Sequence, residues 1–262
     1  MENKASRMRQ ELNFRDLGGI QVKDGRVIKK EKLLRSGGLH LFNRDEVEVL
    51  RSYHVRTVID FRAPYNWTKK KDPEIGAVYA AYDGKAANIG ESIDFSAEGF
   101  GQTGEAAQEQ LRQLHYYYTH MPYGYNAFHV MMQELQADHT PFLFHCAKGK
   151  DRTGIAAMII LGALGADDET ILQDFLLSNV YRKKAISERV KEGRSTHPED
   201  SGYMELMFLR EGVSEAIGQE ILDLLHERCG TWENYMKMEY GWDEAALHQF
   251  RNCYLEENYG RS

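Results

Sequence analysis

The apolar runs in the first half of the chain are short and strand-like, and from about Ala106 onward they give way to longer helical ones. "GGIQVKDGRVIKK" sets Asp24 and Gly25 between two runs containing β-branched residues, which predicts a hairpin turn. In "NRDEVEVLRSYH", Asn43 is followed three positions later by Glu46, the spacing of a capped helix start. "VRTVIDF" (55–61) predicts a buried strand, "AVYAAYD" (77–83) another, and "YNAFHVMMQELQ" a helix. Strand, helix, strand in that order predicts an α/β sheet. Between Gly84 and Gly104 the pattern lapses among five glycines, as in a long mobile insertion, and such loops often carry function. A surface insertion without a role has the same composition. No Pro- or Ser-rich linker divides the chain, so residues 1–262 are expected to form a single domain, with 1–11 flexible.

One stretch concentrates ionisable chemistry, "PFLFHCAKGKDRTGIAAMIIL" (141–161). "PFLFH" suits a central strand, and "TGIAAMIILGALG" suits a buried helix ending near Gly165. The residues between them lie where a strand delivers the chain to a helix N-terminus. Backbone N–H groups are free there and the helix dipole favours an anion. Five residues separate Cys146 from Arg152. A cysteine at a helix N-terminus beside cations has a depressed pKa and is largely thiolate at neutral pH. The loop 147–150 can wrap a tetrahedral dianion with inward amides, and Arg152 can pair with two of its oxygens. A lone cysteine at a strand end is more often a small buried hydrophobe, but here the arginine and the glycine loop accompany it.

Composition narrows the partners. A net charge of -7 gives no general basic field, which argues against a broad nucleic-acid surface. No apolar run approaches the roughly 20 residues of a membrane span, and the N-terminus lacks a signal-peptide core, so the expected location is cytoplasmic. Three cysteines, Cys146, Cys229 and Cys253, are too few for a disulfide framework and lack zinc-ligand spacing. Cys229 and Cys253 read as packing residues on helices. Nothing in the sequence sets an oligomeric state.

The loop resembles the HCx5R signature of cysteine-dependent phosphatases in the form HCxxGKDRTG, and the chain is similar to the bacterial tyrosine-phosphatase family with atypical dual specificity and phosphoinositide activity. "NFRDLGG" (13–19), "LLRSGGL" (33–39), "TVIDFR" (57–62) and "DFLLSN" (174–179) follow the family's order, and the C-terminal "ENYMKMEYGWDEAALHQFRNCYL" resembles its closing helices. The likeness spans about residues 12–257. It implies a cysteine-phosphatase-like α/β fold, a mostly parallel central sheet flanked by helices with accessory helices added.

It also implies a two-step reaction on phosphotyrosine protein, with broader specificity toward phosphoserine, phosphothreonine or phosphoinositide, and no metal or other cofactor. Cys146 is then the nucleophile, and Arg152 with Ala147, Lys148, Gly149 and Lys150 forms the cradle. His145 orients the loop or is simply a satisfied core histidine. Thr153 donates to the sulfur, serves the helix start, or both. No "WPD" occurs, so the general acid is Asp151, as the family pattern implies, or else Asp60; either could instead be structural, Asp60 by fixing a turn or pairing with Arg62. By the same resemblance Lys150 contacts a second phosphate or acidic group, unless it is an ordinary solvated lysine. Arg15, Asp16, Arg35 and Ser36 are expected to support the pocket through a buried arginine–carboxylate pair. The tyrosines of "HYYYTHMPYGY" (115–125) pack helices or border the cleft.

Two other classes can be weighed. "GKDRTG" lacks the GK[ST] ending and the upstream glycine of a nucleotide-binding loop. A phosphoryl-binding module without turnover would keep the same cradle. Phosphoinositide hydrolysis as the main activity stands as a variant of the enzymatic reading.

Overall fold

The computed structural model describes residues 4–82 and 96–258, apart from the side chains of 64–66. Five strands form the main sheet: β1 (Arg15–Asp16), β3 (Leu33–Ser36), β4 (Thr57–Asp60), β5 (Val78–Tyr79) and β6 (Phe142–His145). Their order is β1-β3-β6-β4-β5, with β1 antiparallel and the rest parallel. A small ribbon pairs β2 (Val27–Ile28) with β7 (Leu255–Glu256). The helices are α1 (Arg44–Arg51), α2 (Pro64–Lys69), α3 (Gly104–His120), α4 (Asn126–Gln136), α5 (Asp151–Leu164), α6 (Asp168–Tyr181), α7 (Lys183–Thr196), α8 (Ser201–Glu211), α9 (Glu215–Cys229), α10 (Trp232–Tyr240) and α11 (Glu244–Tyr254). The result is the expected mostly parallel sheet flanked by helices.

Alternation along the strands divides the interior into two cores. Leu33, Ile59, Phe142 and Phe144 face the larger core, shared with α3–α5 and α9–α11. Leu34, Val58 and Leu143 face a smaller one, closed by α1 and the N-terminal turns. α5 is apolar on every side, and from Thr153 to Leu164 it is buried on every side. It ends at Gly165, whose φ of 91° is the left-handed C-terminal stop expected there.

The local signals take their predicted forms. Gly25, with φ 90°, makes the hairpin turn, and the N–H of Val22 reaches the Arg26 carbonyl at 2.9 Å. Asn43 and Glu46 complete a capping box. One expectation changes. "AVYAAYD" yields only the two-residue edge strand β5, exposed rather than buried because nothing among the described residues covers that edge. The chain start forms 3-10 turns at Lys4–Arg7 and Gln10–Leu12, since Met8 and Leu12 have the α1 core to fill. Of the insertion at 84–104, residues 84–95 lie outside the described residues. Gly99–Gly101 is a 3-10 turn that buries Phe100.

Candidate active site

Ser36, His145 and Asp60 lie level with one another at the C-terminal ends of three adjacent parallel strands. This edge is where the loop 146–150 crosses to α5. Its carbonyls are held from outside: Ala147 O accepts from the N–H of Gly38 at 3.1 Å, and Lys148 O and Gly149 O accept from Asn13 Nδ2 at 3.3 and 2.8 Å. A trans peptide sets its N–H opposite its C=O, so the amides of Lys148, Gly149 and Lys150 turn inward. Among the described residues they have no backbone acceptor. No side chain caps α5, and its first N–H groups open onto the same nest.

Cys146 lies at the floor, 2% exposed. Burial works against its thiolate, but the Arg152 guanidinium and the Thr153 side chain and amide outweigh it, and the thiol titrates below its ordinary range despite the opposing charge of Asp151. Among the described residues the Thr153 hydroxyl has no hydrogen bond of ordinary geometry, and its dipole favours the thiolate. Arg152 donates to the Phe61 carbonyl, which aims its guanidinium along the cavity wall. The cavity holds about 120 Å³ and is lined by Cys146 to Lys148, Lys150 to Arg152, Tyr117 and Tyr118 of α3, Phe100, Leu114, Leu209 and Arg210.

Buried ion pairs brace the loop. Arg35 donates to Asp174 and, at 2.9 Å, to Gly149 O. Arg15 donates to Asp174 Oδ1 at 2.8 Å and to Asn13 Oδ1 at 2.6 Å. The expected buried pair thus forms, but its carboxylate is Asp174 of α6 and not Asp16, which instead accepts from the N–H groups of Gly18 and Glu31. Ser36 Oγ donates to the Gly37 carbonyl at 2.8 Å. "DFLLSN" carried the only sequence signal for Asp174.

Asp60 takes the turn-fixing and Arg62-pairing place named as its alternative. With Val58 and His145 it belongs to the face of the sheet opposite Phe144, so its carboxylate does not line the Cys146 cavity. There it accepts from Arg62 Nε at 2.9 Å and from Nη2 at 2.6 Å, and it fixes the turn through the Arg62 N–H at 2.9 Å. His145, fully buried, lies 3.3 Å from Asp72 and 3.7 Å from Asp60. Burial opposes its charge, but the two carboxylates outweigh that and raise its pKa. Asp60, Asp72 and His145 have a cation-site donor set, yet Arg62 already places its guanidinium between both carboxylates, 2.6 and 2.7 Å away. Sequence reasoning missed Asp72, which follows α2 with no motif around it.

Lys150 is 2% exposed and donates to Asp151 Oδ1 at 2.7 Å, Leu209 O at 2.8 Å and Gly212 O at 3.0 Å. All three of its N–H bonds are engaged here, and the ammonium clamps the loop to the end of α8. Lys148 pairs with Glu211 at 2.9 Å, and burial followed by the charge of Lys150 lowers its pKa to about 8. Asp151 stays in the cavity and accepts from both Lys150 and Tyr118. Burial would raise its pKa, but Lys150, Tyr118 and Lys148 together hold it below the ordinary value.

A mostly parallel sheet carrying a cysteine, an outward-braced loop and an arginine at one strand edge defines a cysteine-phosphatase-like class. Residues 7–256 match the tyrosine phosphatase family, and the chain belongs to it. Over 171 residues it is 35% identical to a Cupriavidus necator protein bearing a provisional tyrosine-protein phosphatase name, covering 64% of this chain and 60% of that one. A tyrosine-protein phosphatase of Nostoc commune is 30% identical over 117 residues, 42% of this chain and 37% of that one. The triple specificity protein phosphatase PtpB of Mycobacterium tuberculosis is 47% identical over 45 residues, 17% and 16% of the two chains. The matched stretches therefore span less than two thirds of these curated relatives. Among the described residues no helix is long and apolar enough to cross a membrane.

Proposed function

We propose that the protein is a cysteine-dependent phosphomonoester hydrolase whose main substrate class is phosphotyrosine in protein, with further activity on other phosphomonoesters. The observation that carries this reading is the meeting of Cys146, the inward amides of the loop and Arg152 in one small cavity. The thiolate attacks phosphorus, the ester oxygen leaves, and a cysteinyl phosphate forms. Amides 148–150 and Arg152 hold the equatorial oxygens, and most of the rate comes from that fixed charge complementarity.

Asp151 supplies the proton to the leaving oxygen and then takes one from the attacking water. Lys150, Tyr118 and Lys148 favour its ionised form. A bound phosphoryl dianion beside it raises its pKa by like charge, and this is how it acquires the proton. A reducing compartment such as the cytoplasm suits a reaction that needs the thiolate.

Breadth of specificity rests on lesser support, the relative named for triple specificity. The test is phosphate release from phosphotyrosine, phosphoserine and phosphothreonine peptides and from phosphoinositides, with chelator present and Cys146→Ser as control. Turnover that vanishes in the variant and is highest on phosphotyrosine is expected. Phosphopeptide binding without turnover by the native protein would favour a binding module instead, and a phosphoinositide maximum would favour the lipid reading.

A further inference from the structure

The tyrosine of α3 that reaches into the loop has no place in the signature motif. Tyr118 is 3% exposed and donates its hydroxyl to Asp151 Oδ1. Lys150 donates to the same oxygen at 2.7 Å. Among the described residues nothing donates to Oδ2. One carboxylate oxygen is thus fixed by two donors from two different elements, and Asp151 lines the cavity that holds Cys146.

We propose that Tyr118 is a positioning residue for the general acid, acting through Asp151 so that Oδ2 is the oxygen that gives and takes the proton. This rests on the reading of Asp151 as the acid. Two anchors on Oδ1 remove rotation about the terminal torsion of the side chain, which is otherwise broad and two-fold. A proton carried on Oδ2 then stays within reach of the leaving oxygen, the geometric condition for general acid catalysis. α3 enters the loop from outside the signature, so the signature alone does not determine where its own aspartate points.

The titratable and charged groups that share the cavity with Asp151 are Lys148, Lys150 and Cys146 from the loop, Arg152 from α5, Tyr117 and Tyr118 from α3 and Arg210 from α8. Of the two groups that donate to Oδ1, Lys150 and Tyr118, only Tyr118 can be removed without changing a formal charge. The Tyr118 hydrogen bond favours the carboxylate. Its loss therefore raises the pKa of Asp151 and moves the basic limb of a profile that needs the protonated acid to higher pH.

The experiment compares Tyr118→Phe, Asp151→Asn and the double variant, using a phosphotyrosine peptide and nitrophenyl phosphate across pH. Nitrophenolate leaves with little need of a proton. Expected for Tyr118→Phe are a fall in kcat of roughly ten-fold on the peptide, smaller than the 10²–10⁴-fold worth of general acid catalysis as a whole because the acid itself remains, a much smaller fall on nitrophenyl phosphate, and the upward shift of the basic limb. Because Tyr118 acts through Asp151, the double variant should be no slower than Asp151→Asn alone. Equal losses on both substrates, an unmoved limb, or multiplied losses in the double variant would overturn the role of Tyr118. The Asp151→Asn data separate the two ideas: if that variant keeps full rate on the peptide, the acid assignment itself fails. Unfolding midpoints of all three variants register any loss of fold. Should Tyr118→Phe unfold early, Tyr118→Gln, which keeps a neutral donor and adds no titrating group, must hold the limb at its native position, and a shifted limb there would overturn the proposal.

Discussion

A Cβ placed on Gly149 would fall 2.6 Å from the carbonyl carbon and oxygen of Ser36, and the glycine itself holds φ 70°. The phosphate-facing loop is thus pressed against the end of β3 at the residue where a side chain is excluded both by space and by backbone angle. Gly149→Ala is expected to destabilise the fold by about 1–3 kcal/mol from the strained backbone alone, with a larger proportional loss of turnover because the inward amides shift. Urea unfolding beside steady-state rates checks this. A variant with full activity would show that the loop tolerates the displacement.

Asp174 faces Arg15 and Arg35 at once. Burial raises the cost of its charge, yet the two guanidinium groups hold its pKa below the ordinary carboxylate range. Burial likewise lowers Arg35 to about 10. Removing one partner of a buried pair leaves an uncompensated charge, so Asp174→Ala should cost about 3–5 kcal/mol by denaturant unfolding. The loop should loosen with it, because Arg35 also holds Gly149 O. Arg35→Met in the Asp174→Ala background should recover part of that stability, since it removes one of the two orphaned cations.

What the sequence disclosed and what it hid follow from distance along the chain. The Asp24–Gly25 turn, the Asn43–Glu46 box, the β6 strand and the Gly165 stop are each decided within a few residues, and all four were legible. So was the nest, because Cys146 to Arg152 is continuous. Asp174 could not be assigned to Arg35 across 139 residues, nor Lys150 to Leu209 across 59, without the fold. Asp60 was ambiguous for another reason. At the end of a strand, a shift of one residue decides which face of the sheet a carboxylate serves.

Alkylation of Cys146 by iodoacetamide should follow a titration below the ordinary thiol range, since Arg152 and Thr153 outweigh burial. Thr153→Ala removes the hydroxyl dipole and should move the midpoint to higher pH, with α5 intact by circular dichroism. An unmoved midpoint would leave Thr153 with the helix start alone.

Stability should fall on both sides of neutrality, for separate reasons. Asp72 and Asp174 have folded pKa values below their unfolded ones, since their charged partners outweigh burial. Their contribution is complete above about pH 4, the ordinary aspartate range, and is lost as pH falls through the folded values. His145 has a raised folded pKa because Asp60 and Asp72 outweigh its burial. Its contribution is complete below about pH 6.5, the ordinary histidine value, and is lost as pH rises through the folded one. Thermal melts of Asp72→Asn should flatten the alkaline side, by lowering the folded pKa of His145, and leave on the acid side the part that belongs to Asp174.

Lys150 separates loop architecture from substrate recognition. Its ammonium joins Asp151 to two carbonyls beyond the active-site loop, Leu209 and Gly212, so its removal should weaken the contact between the loop and the end of α8. It also takes away a charge that lowers the pKa of Asp151. Neither effect depends on what lies beyond the scissile phosphate. Lys150→Ala is therefore expected to reduce kcat on phosphotyrosine peptide and on phosphoinositide by the same factor, with a lower unfolding midpoint. A loss confined to phosphoinositide would mean that the ammonium leaves its two carbonyls when lipid binds, and that the second-anion role implied by the family resemblance operates after all. Crystals grown with a soluble inositol phosphate would then show Nζ displaced from Leu209 O.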